Sequence, residues 1–251
     1  MSFEPTFETL LYVALVYVLS GGVKGVLGIG LPLVSIPLLA GTMGPVTAMA
    51  YMVVPTFAVN LWQVIQSGYL MGAFKRFWSA YPLAILGVAI GVSFLTRMDA
   101  ATLTAMVGVL VIFVSVSQLF PLRLSVPHGF EPWVTPIVGL CSGMLGGISS
   151  FLGPFMVIYL VALRISKDQF VGAIALFYLI AGIPFFGGLA VSGELGVEEL
   201  IGSTAASVMI LIGVVGGQWV RKKVSPELFR KAVLIMLILI GANMIRKGFM
   251  V

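Results

Sequence analysis

Two glycine-rich stretches decide the fold: SGGVKGVLGIGLPLVSIPLL at residues 20–39 and GLCSGMLGGISSFLGPFMVIYL at residues 139–160. Both are apolar, and prolines follow the glycines at Pro32, Pro37 and Pro154. Gly and Pro break helices, and a broken helix in a membrane frees backbone groups that only protein or a water-filled cavity can satisfy. Short, interrupted segments at matching positions of two halves predict a transport site. Close packing of helices through small residues is the alternative explanation.

The composition places these stretches in a membrane. Of the 251 residues, 60% are hydrophobic and 9% are charged, whereas an average soluble domain is about 45–50% apolar and about 25% charged. A soluble domain of this size could not cover so much apolar surface. The net charge of +5 comes from loops, which indicates orientation against a cytoplasmic leaflet rather than nucleic-acid binding. The single cysteine, Cys141, excludes an internal disulfide.

Apolar runs predict ten segments joined by short loops. They lie near 7–23, 28–40, 45–66, 76–95 and 100–120, and, after a polar linker, near 133–148, 151–164, 169–191, 200–219 and 229–247. A spanning helix needs about 20 residues, so we expect the last three segments of each half to cross. The first two segments of each half are expected to be short and broken, either as re-entrant hairpins or as full spans. The start of the chain lacks the basic residues of a cleaved signal peptide, so the first helix is expected to remain in the mature protein.

The two halves resemble each other, which predicts an all-α polytopic membrane protein with one repeat at 1–125 and a second at 126–251. The matching positions are Gly87 with Gly213, Gly91 with Gly217, and Gly25-x-x-Gly28 with Gly143-x-x-Gly146. Whether each half crosses five times or three, the number is odd, so the second half would enter from the opposite face. This predicts an inverted-topology repeat. Basic residues in the 66–76, 164–168 and 220–231 loops then put both termini in the periplasm.

Lys24 is the most informative residue of the first stretch. It lies inside an apolar run with no acidic neighbour in sequence, and a charge near the bilayer centre costs at least about 2.5–3.5 kcal/mol. One interpretation places it at a hairpin tip that faces a wet cavity, where it would meet an anion. The other lets it reach the interface at the end of a full first span.

The remaining candidates are groups that can donate hydrogen bonds to an anion. The nine acids all fall in predicted loops or at segment ends, which disfavours a carboxylate cation site or proton relay. Amides that bond between helices, and hydroxyls that bond their own helix, are the alternatives. The predicted substrate-binding residues are Lys24, Gly25, Gly28, Gly30, Asn60, Gln63, Gly147, Ser149, Ser150 and Gly153.

At these residues the chain resembles the sulfite exporter TauE/SafE family, also called toluene-sulfonate uptake permeases. The resemblance lies in VKGVLGIGLPLVSIPLL at 23–39, VPTFAVNLWQ at 54–63 and GMLGGISSFLGPFMVIYLVALRISKDQF at 143–170, and it covers nearly the whole chain. Many members carry three consecutive glycines in the first stretch, where this chain has GIGLP at 28–32. The resemblance implies a bacterial inner-membrane carrier for a small anion, such as sulfite, sulfoacetate or another organosulfonate.

Together these features predict a secondary transporter that works by alternating access, with two hairpins meeting near the midplane. An anion channel and a membrane accessory protein without transport are the alternatives. An enzyme is not expected, because the chain offers no intramembrane cluster of acids, metal ligands or nucleophile and base. The expected partners are a small anion and the lipid bilayer, without nucleic acid. No cofactor or metal is expected, while a sodium or proton coupling ion and a homodimer stay open.

Overall fold

The computed structural model describes residues 6–27, 30–120, 125–220 and 223–250, without the side chains of His128 and Pro226. Over these ranges the chain is helical and has no strand. The helices, in chain order, are α1 (Phe7–Leu27), α2 (Leu31–Met43), α3 (Pro45–Ala50), α4 (Val53–Ser67), α5 (Leu70–Arg76), α6 (Ala80–Leu95), α7 (Ala100–Leu119), α8 (Glu131–Ser149), α9 (Pro154–Ala162), α10 (Lys167–Val191), α11 (Val197–Val220) and α12 (Pro226–Phe249).

Six helical stretches in the described part are long and apolar enough to cross a membrane: α1, α3 with α4, α7, α10, α11 and α12. This makes the chain a multi-pass membrane protein, as its composition predicts. Large apolar side chains stay exposed on these helices, for example Val191 at 92% and Leu239 at 67%. Lipid accommodates such surface, whereas water would not.

Two predicted segments differ from the observed helices. The first segment of each half is not short, because α1 has 21 residues and α8 has 19. The second segments, α2 and α9, are too short to span, and α8, unlike α1, is not among the six candidate spans. The predicted segment at 76–95 corresponds to α6, which is long enough to span only together with α5, and these two helices meet at a bend of 79°. The break in each half therefore separates a long helix from a short one.

Capping side chains fix where several long helices begin. The Asp99 carboxylate accepts a hydrogen bond from Thr102 N at 2.9 Å at the start of α7, and Ser225 caps α12 in the same way. Ser166 and Gln169 form a reciprocal capping box at the start of α10. These side chains satisfy N–H groups that the first turn of a helix leaves free. The hydrogen bonds from Thr102 also lower the pKa of the Asp99 carboxyl.

The chain divides into two compact units. The first contains Met1–Pro55, Met98–Pro121 and Gly196–Val251, and the second contains Thr56–Arg97 and Leu122–Leu195. Each unit draws helices from both halves of the sequence. The predicted division into repeats at 1–125 and 126–251 is a statement about sequence similarity, and it stays a prediction.

Glycines let the main helix pairs approach backbone to backbone. In the first unit, a side chain at Gly21 would collide with the carbonyl oxygen of Ile210, and one at Gly25 with that of Val214, so α1 and α11 run parallel. In the second unit, α8 packs on α6 in the same parallel sense. There a Cβ at Gly147 would lie 2.6 Å from Val88 O. Helices in lipid gain little from the hydrophobic effect, so close packing through small residues holds these pairs together.

A third pair, α7 with α12, packs antiparallel inside the first unit. A Cβ at Gly108 would lie 2.7 Å from Gly241 O, and a Cβ at Gly248 would lie 2.6 Å from Ala101 O. Because Gly248 lies against the start of α7 and Gly241 against its middle, the two helices run in opposite directions. Three glycine-packed pairs thus account for most of the helix contacts within the units.

Candidate functional site

The first helix break lies in the first unit, between α1 and α2. Helix α1 ends at Leu27, and α2 begins at Leu31 with Pro32 in its first turn. Gly30 precedes α2 with φ of 96°, in the left-handed region that favours glycine. No described side chain caps α2, so its first-turn N–H groups are available to water or a ligand. The predicted site residue Gly28 lies outside the described residues.

Helix α2 is too short to cross a bilayer. Its 13 residues rise through about 20 Å, whereas a bilayer core is about 30 Å thick. It carries Pro37 in its interior and runs directly into Gly44, which has φ of 82°. The first break therefore joins a full-length helix to a half-length one, as in the discontinuous helices of transporters.

The second break lies in the second unit, between α8 and α9. Helix α8 ends at Ser149, and Ser150 follows with φ of 64°, a left-handed conformation that is uncommon for serine. Ser150 N closes the last turn of α8 by donating to Gly146 O at 2.6 Å. Helix α9 begins at Pro154 and has only 9 residues, which is about 14 Å. Like the first break, the second joins a long helix to a short one and contains a residue in the left-handed conformation.

The glycine contacts correct the predicted match between the two breaks. Gly21 faces Ile210 on α11 in the way that Gly143 faces Ala84 on α6. Gly25 faces Gly217 and Val214 in the way that Gly147 faces Gly91 and Val88. The structural counterparts of Gly21 and Gly25 are therefore Gly143 and Gly147, one helical turn away from the predicted match of Gly25 with Gly143. The predicted matches of Gly87 with Gly213 and of Gly91 with Gly217 agree with these contacts.

Gly25 and Gly147 have a packing role in the structure. A Cβ on either residue would lie within about 3 Å of backbone atoms on the neighbouring helix: 3.0 Å from Gly217 Cα for Gly25 and 2.8 Å from Gly91 Cα for Gly147. This is the alternative that the sequence left open for the glycine clusters. A role for these two glycines in substrate binding stays a prediction without a contact to support it.

Lys24 occupies the last turn of α1 and is half-buried. Among the described residues it has no hydrogen-bond or ion-pair partner. It lies within the helix rather than at the tip of a hairpin. Tyr17 and Ser20 precede it by seven and four residues, so all three share one face of α1.

That face carries an unusual polar group. Tyr17 is only 2% exposed, and its buried hydroxyl has no partner in the described part of the chain. Ser20 is buried as well, and its hydroxyl donates to Val16 O of its own helix at 2.7 Å. A buried tyrosine hydroxyl usually finds a hydrogen-bond partner, so Tyr17 is a candidate that the sequence reasoning missed.

The second break gathers hydroxyl groups instead of a cation. Ser149 Oγ donates to Leu145 O at 2.7 Å, so this hydroxyl bonds its own helix. The Ser150 side chain is only 4% exposed and makes no hydrogen bond with the described residues. The Tyr178 hydroxyl, from α10, fills the space that a side chain at Gly153 would need. Tyr178 thus lies against Gly153, three residues after Ser150 in the second break.

Tyr178 is a second candidate that the sequence reasoning missed. It is half-buried in the middle of the apolar helix α10, and its hydroxyl has no hydrogen-bond partner among the described side chains. A tyrosine in the interior of a spanning helix is itself a signal, because its hydroxyl needs a partner there.

Asn60 and Gln63 lie on α4 in the second unit. Asn60 is 5% exposed, and its Nδ2 donates to Thr56 O at 2.7 Å. This amide therefore bonds its own helix backbone, which neither predicted role had included. Gln63 is half-buried and bonds none of the described residues. No hydrogen bond joins either amide to the residues of the second break.

Acidic groups stay at helix ends. Of the nine acids, Glu4 lies outside the described residues, and the others occupy loops, caps or first turns: Glu8, Asp99, Glu131, Asp168, Glu194, Glu198, Glu199 and Glu227. The described part contains no group of three or more His, Cys, Asp or Glu side chains that could hold a metal ion. Four basic residues of the spanning helix α12, Arg230, Lys231, Arg246 and Lys247, likewise lie near its two ends. The Lys24 ammonium lies near the end of α1, beside the first break.

Comparison with known proteins identifies the family. The family model described as Sulfite exporter TauE/SafE matches residues 13–244, nearly the whole chain. No curated protein and no solved structure matches the chain. The family is one of membrane transporters, and the spanning helices fit transport. The match includes both helix breaks and Lys24, and the chain belongs to the sulfite exporter TauE/SafE family.

Proposed function

We propose that this chain is a secondary carrier for a small anion, sulfite or an organosulfonate such as sulfoacetate, that works by alternating access. The observation that carries the proposal is the pair of helix breaks. Each follows a long glycine-packed helix, precedes a helix too short to span and contains a residue in the left-handed conformation, Gly30 or Ser150. Discontinuous helices at corresponding positions are the typical binding elements of secondary carriers.

The charges favour an anion over a cation. Lys24 supplies a positive charge next to the first break, and α2 starts there with no side-chain cap among the described residues. Helix N-termini carry partial positive charge and bind oxyanions through their free N–H groups. In the second unit, the Ser150 and Tyr178 hydroxyls can donate in the same way. Since the described acids lie at helix ends, none of them would repel an anion at either break.

We also propose that the two halves form an inverted-topology repeat. Helix α1, the first of its half, packs parallel to α11, the fourth segment of the other half, and α8 packs parallel to α6 in the same manner. Two halves of opposite topology would give this cross-pairing if successive segments alternate in direction. Cysteines placed at residues 44 and 164, in loops of the two halves, would be labelled from defined faces of a vesicle and would test this topology.

The proposed setting is the bacterial inner membrane with both termini in the periplasm. Arg76 and Arg164 line one cavity of the second unit, so two of the basic loops lie at the same end of that unit. The positive-inside rule makes this end cytoplasmic. Labelling of a cysteine at position 164 only from the cytoplasmic face would support the proposal, and labelling only from the periplasmic face would reverse it.

Uptake of labelled sulfite or sulfoacetate into liposomes that contain the purified protein tests the function. Lys24→Ala should abolish saturable uptake, because it removes the positive charge beside the first break, while Lys24→Arg should retain part of it. Lys231→Ala is the matched control, since Lys231 is 50% exposed and pairs with Glu227 at 3.3 Å. Normal uptake by a folded Lys24→Ala protein would refute the role of Lys24.

A further inference from the structure

A cavity at the basic end of the second unit carries an excess of positive charge. It has a volume of about 480 Å³ and is lined by Arg76, Ser125, Arg164, Ser166 and Gln169, among other residues. We call it the basic cavity. It is built from the end of α5, the linker before α8, and the turn between α9 and α10. A hydrogen bond from Val126 N to Ala162 O, 3.4 Å long, ties the linker to the end of α9.

The two arginines of the basic cavity differ in how their charge is compensated. Arg76 makes a bidentate ion pair with Glu131, with Nε 3.1 Å from Oε2 and Nη2 2.9 Å from Oε1. Glu131 lines a neighbouring cavity of about 520 Å³ rather than the basic cavity. The Arg164 guanidinium makes no hydrogen bond or ion pair with the described residues, although its backbone N donates to Val161 O. No carboxylate lines the basic cavity.

The backbone of Arg164 gives an independent reason to look at this site. Its φ is 52°, which places it in the left-handed region directly after the C-terminal end of α9. Glycine usually occupies this position after a helix, because a side chain there is strained. Strained residues that persist at a cavity wall cluster at ligand-binding positions. The chain thus keeps an unpaired guanidinium where glycine would be favoured.

The N-terminus of α10 does not by itself make this site. Gln169 N is already bonded to Ser166 Oγ, and Ser166 N to Gln169 Oε1, so the capping box occupies those groups. The side chains that line the cavity instead include the Arg164 and Arg76 guanidinium groups and the hydroxyls of Ser125 and Ser166. These groups are donors, and guanidinium forks match the oxygen pairs of phosphate and sulfonate groups.

We propose that the basic cavity binds an oxyanion group through Arg164, separately from the helix breaks. Two sources share this chemistry: a soluble oxyanion and the phosphate of an anionic phospholipid headgroup, since basic pockets at the cytoplasmic ends of membrane helices bind such headgroups. The neighbouring cavity is the weaker candidate, because it is lined by the Glu131 carboxylate, which already occupies Arg76 and would repel an anion.

The test uses the purified full-length protein with Lys24→Ala as background, so that the first break does not contribute. In the soluble arm, the melting temperature in detergent is measured against sulfate concentration at constant ionic strength. Arg164→Gly should weaken the apparent affinity for sulfate about tenfold, the effect of one charge-assisted contact. Arg164→Gly should also raise the melting temperature measured without sulfate, because glycine adopts the left-handed conformation at this position without strain.

In the lipid arm, native mass spectrometry counts phosphatidylglycerol molecules retained by the protein from mixed vesicles with phosphatidylcholine. Weaker sulfate binding alone identifies a soluble ligand, loss of retained phosphatidylglycerol alone identifies a lipid headgroup, and both effects identify a site open to either. Arg97→Gln, at an exposed residue of the same unit, is the charge-matched control, and Arg164→Lys should retain part of the binding. Unchanged binding by Arg164→Gly in both arms, or an equal loss in Arg97→Gln, would overturn the proposal.

Discussion

The two helix breaks share a backbone plan and differ in side-chain chemistry. By the glycine contacts, the counterpart of Lys24 is Gly146, because Gly21 and Gly25 correspond to Gly143 and Gly147. At the first break the chain places an ammonium group in the last turn of α1. At the second break, Leu152 folds over Gly146 and leaves no room for a side chain there.

This difference shows that different residues determine the backbone packing at the two breaks and the charge of their side chains. The close approach of helix backbones is repeated in both units, because it depends only on the absence of Cβ atoms at matched positions. Charge is not repeated: the first break has a cation, and the second has the hydroxyls of Ser150 and Tyr178.

The largest expected effect is on the shared backbone plan. Gly213→Ala in the first unit and Gly87→Ala in the second should each lower stability by about 1–3 kcal/mol, because the added carbon meets backbone that must move apart. The melting temperature of the purified protein in detergent measures this. Gly216→Ala is the control on α11, since nothing lies within 4 Å of its Cβ position. A loss of stability in only one of the two units would contradict a backbone plan that both units share.

Removing the hydroxyls of the second break should affect substrate binding with little change in stability. Ser150→Ala and Tyr178→Phe should each raise the KM for uptake about ten- to a hundredfold, the range for losing one hydrogen bond to a charged group. Kinetics of uptake into liposomes give this value. Ser149→Ala should leave KM unchanged, because that hydroxyl bonds Leu145 O of its own helix. Equal effects at Ser149 and Ser150 would contradict the assignment.

The ion pair between Arg76 and Glu131 should have a smaller effect. It joins α5 to α8 within the second unit, and its side chains are 26% and 16% exposed. A double-mutant cycle with Arg76→Gln and Glu131→Gln should give a coupling of about 1 kcal/mol, which falls with added salt. Chemical denaturation in detergent measures it. A coupling that does not depend on salt would show that solvent does not reach the pair.

The smallest expected effect distinguishes the caps of α7 and α12. Asp99 caps α7 with a carboxylate whose pKa is lowered in the folded state, whereas Ser225 caps α12 with a hydroxyl. A lowered pKa means that the cap stabilises α7 above the carboxyl's unfolded pKa and loses this contribution as the pH falls through the folded value. Hydrogen exchange at Thr102 N should therefore accelerate in acid relative to Leu228 N. Parallel changes at both amides would contradict this.

The sequence predicted much of the helical plan. The long apolar runs became helices close to their predicted bounds, because a run of about 20 apolar residues has few alternatives in lipid. The lengths of the first segments were wrong, since glycines inside 20–27 and 139–149 stay helical when a neighbouring helix packs against them. The register between the breaks was wrong by one turn, because glycine spacing repeats every three or four residues along one helix face.

The candidate site was only partly predictable. Lys24 and Ser150 stand out in sequence because each is polar in an apolar run. Tyr17 and Tyr178 were missed because an aromatic ring at helical spacing resembles core packing, although a tyrosine hydroxyl inside a spanning helix needs a partner. The structure shows both hydroxyls without hydrogen-bond partners among the described residues. The bond from Asn60 to Thr56 O was equally hidden, because sequence does not reveal whether an amide bonds its own helix.

Counterflow of labelled sulfite in liposomes tests the carrier claim most directly. Liposomes loaded with unlabelled sulfite and diluted into a trace of labelled sulfite should accumulate label transiently, because a carrier that exposes its site to one side at a time exchanges one anion for another. Lys24→Gly, which gives the first break the residue of its counterpart, should lose this accumulation. Passive equilibration without overshoot, together with single-channel currents, would contradict alternating access.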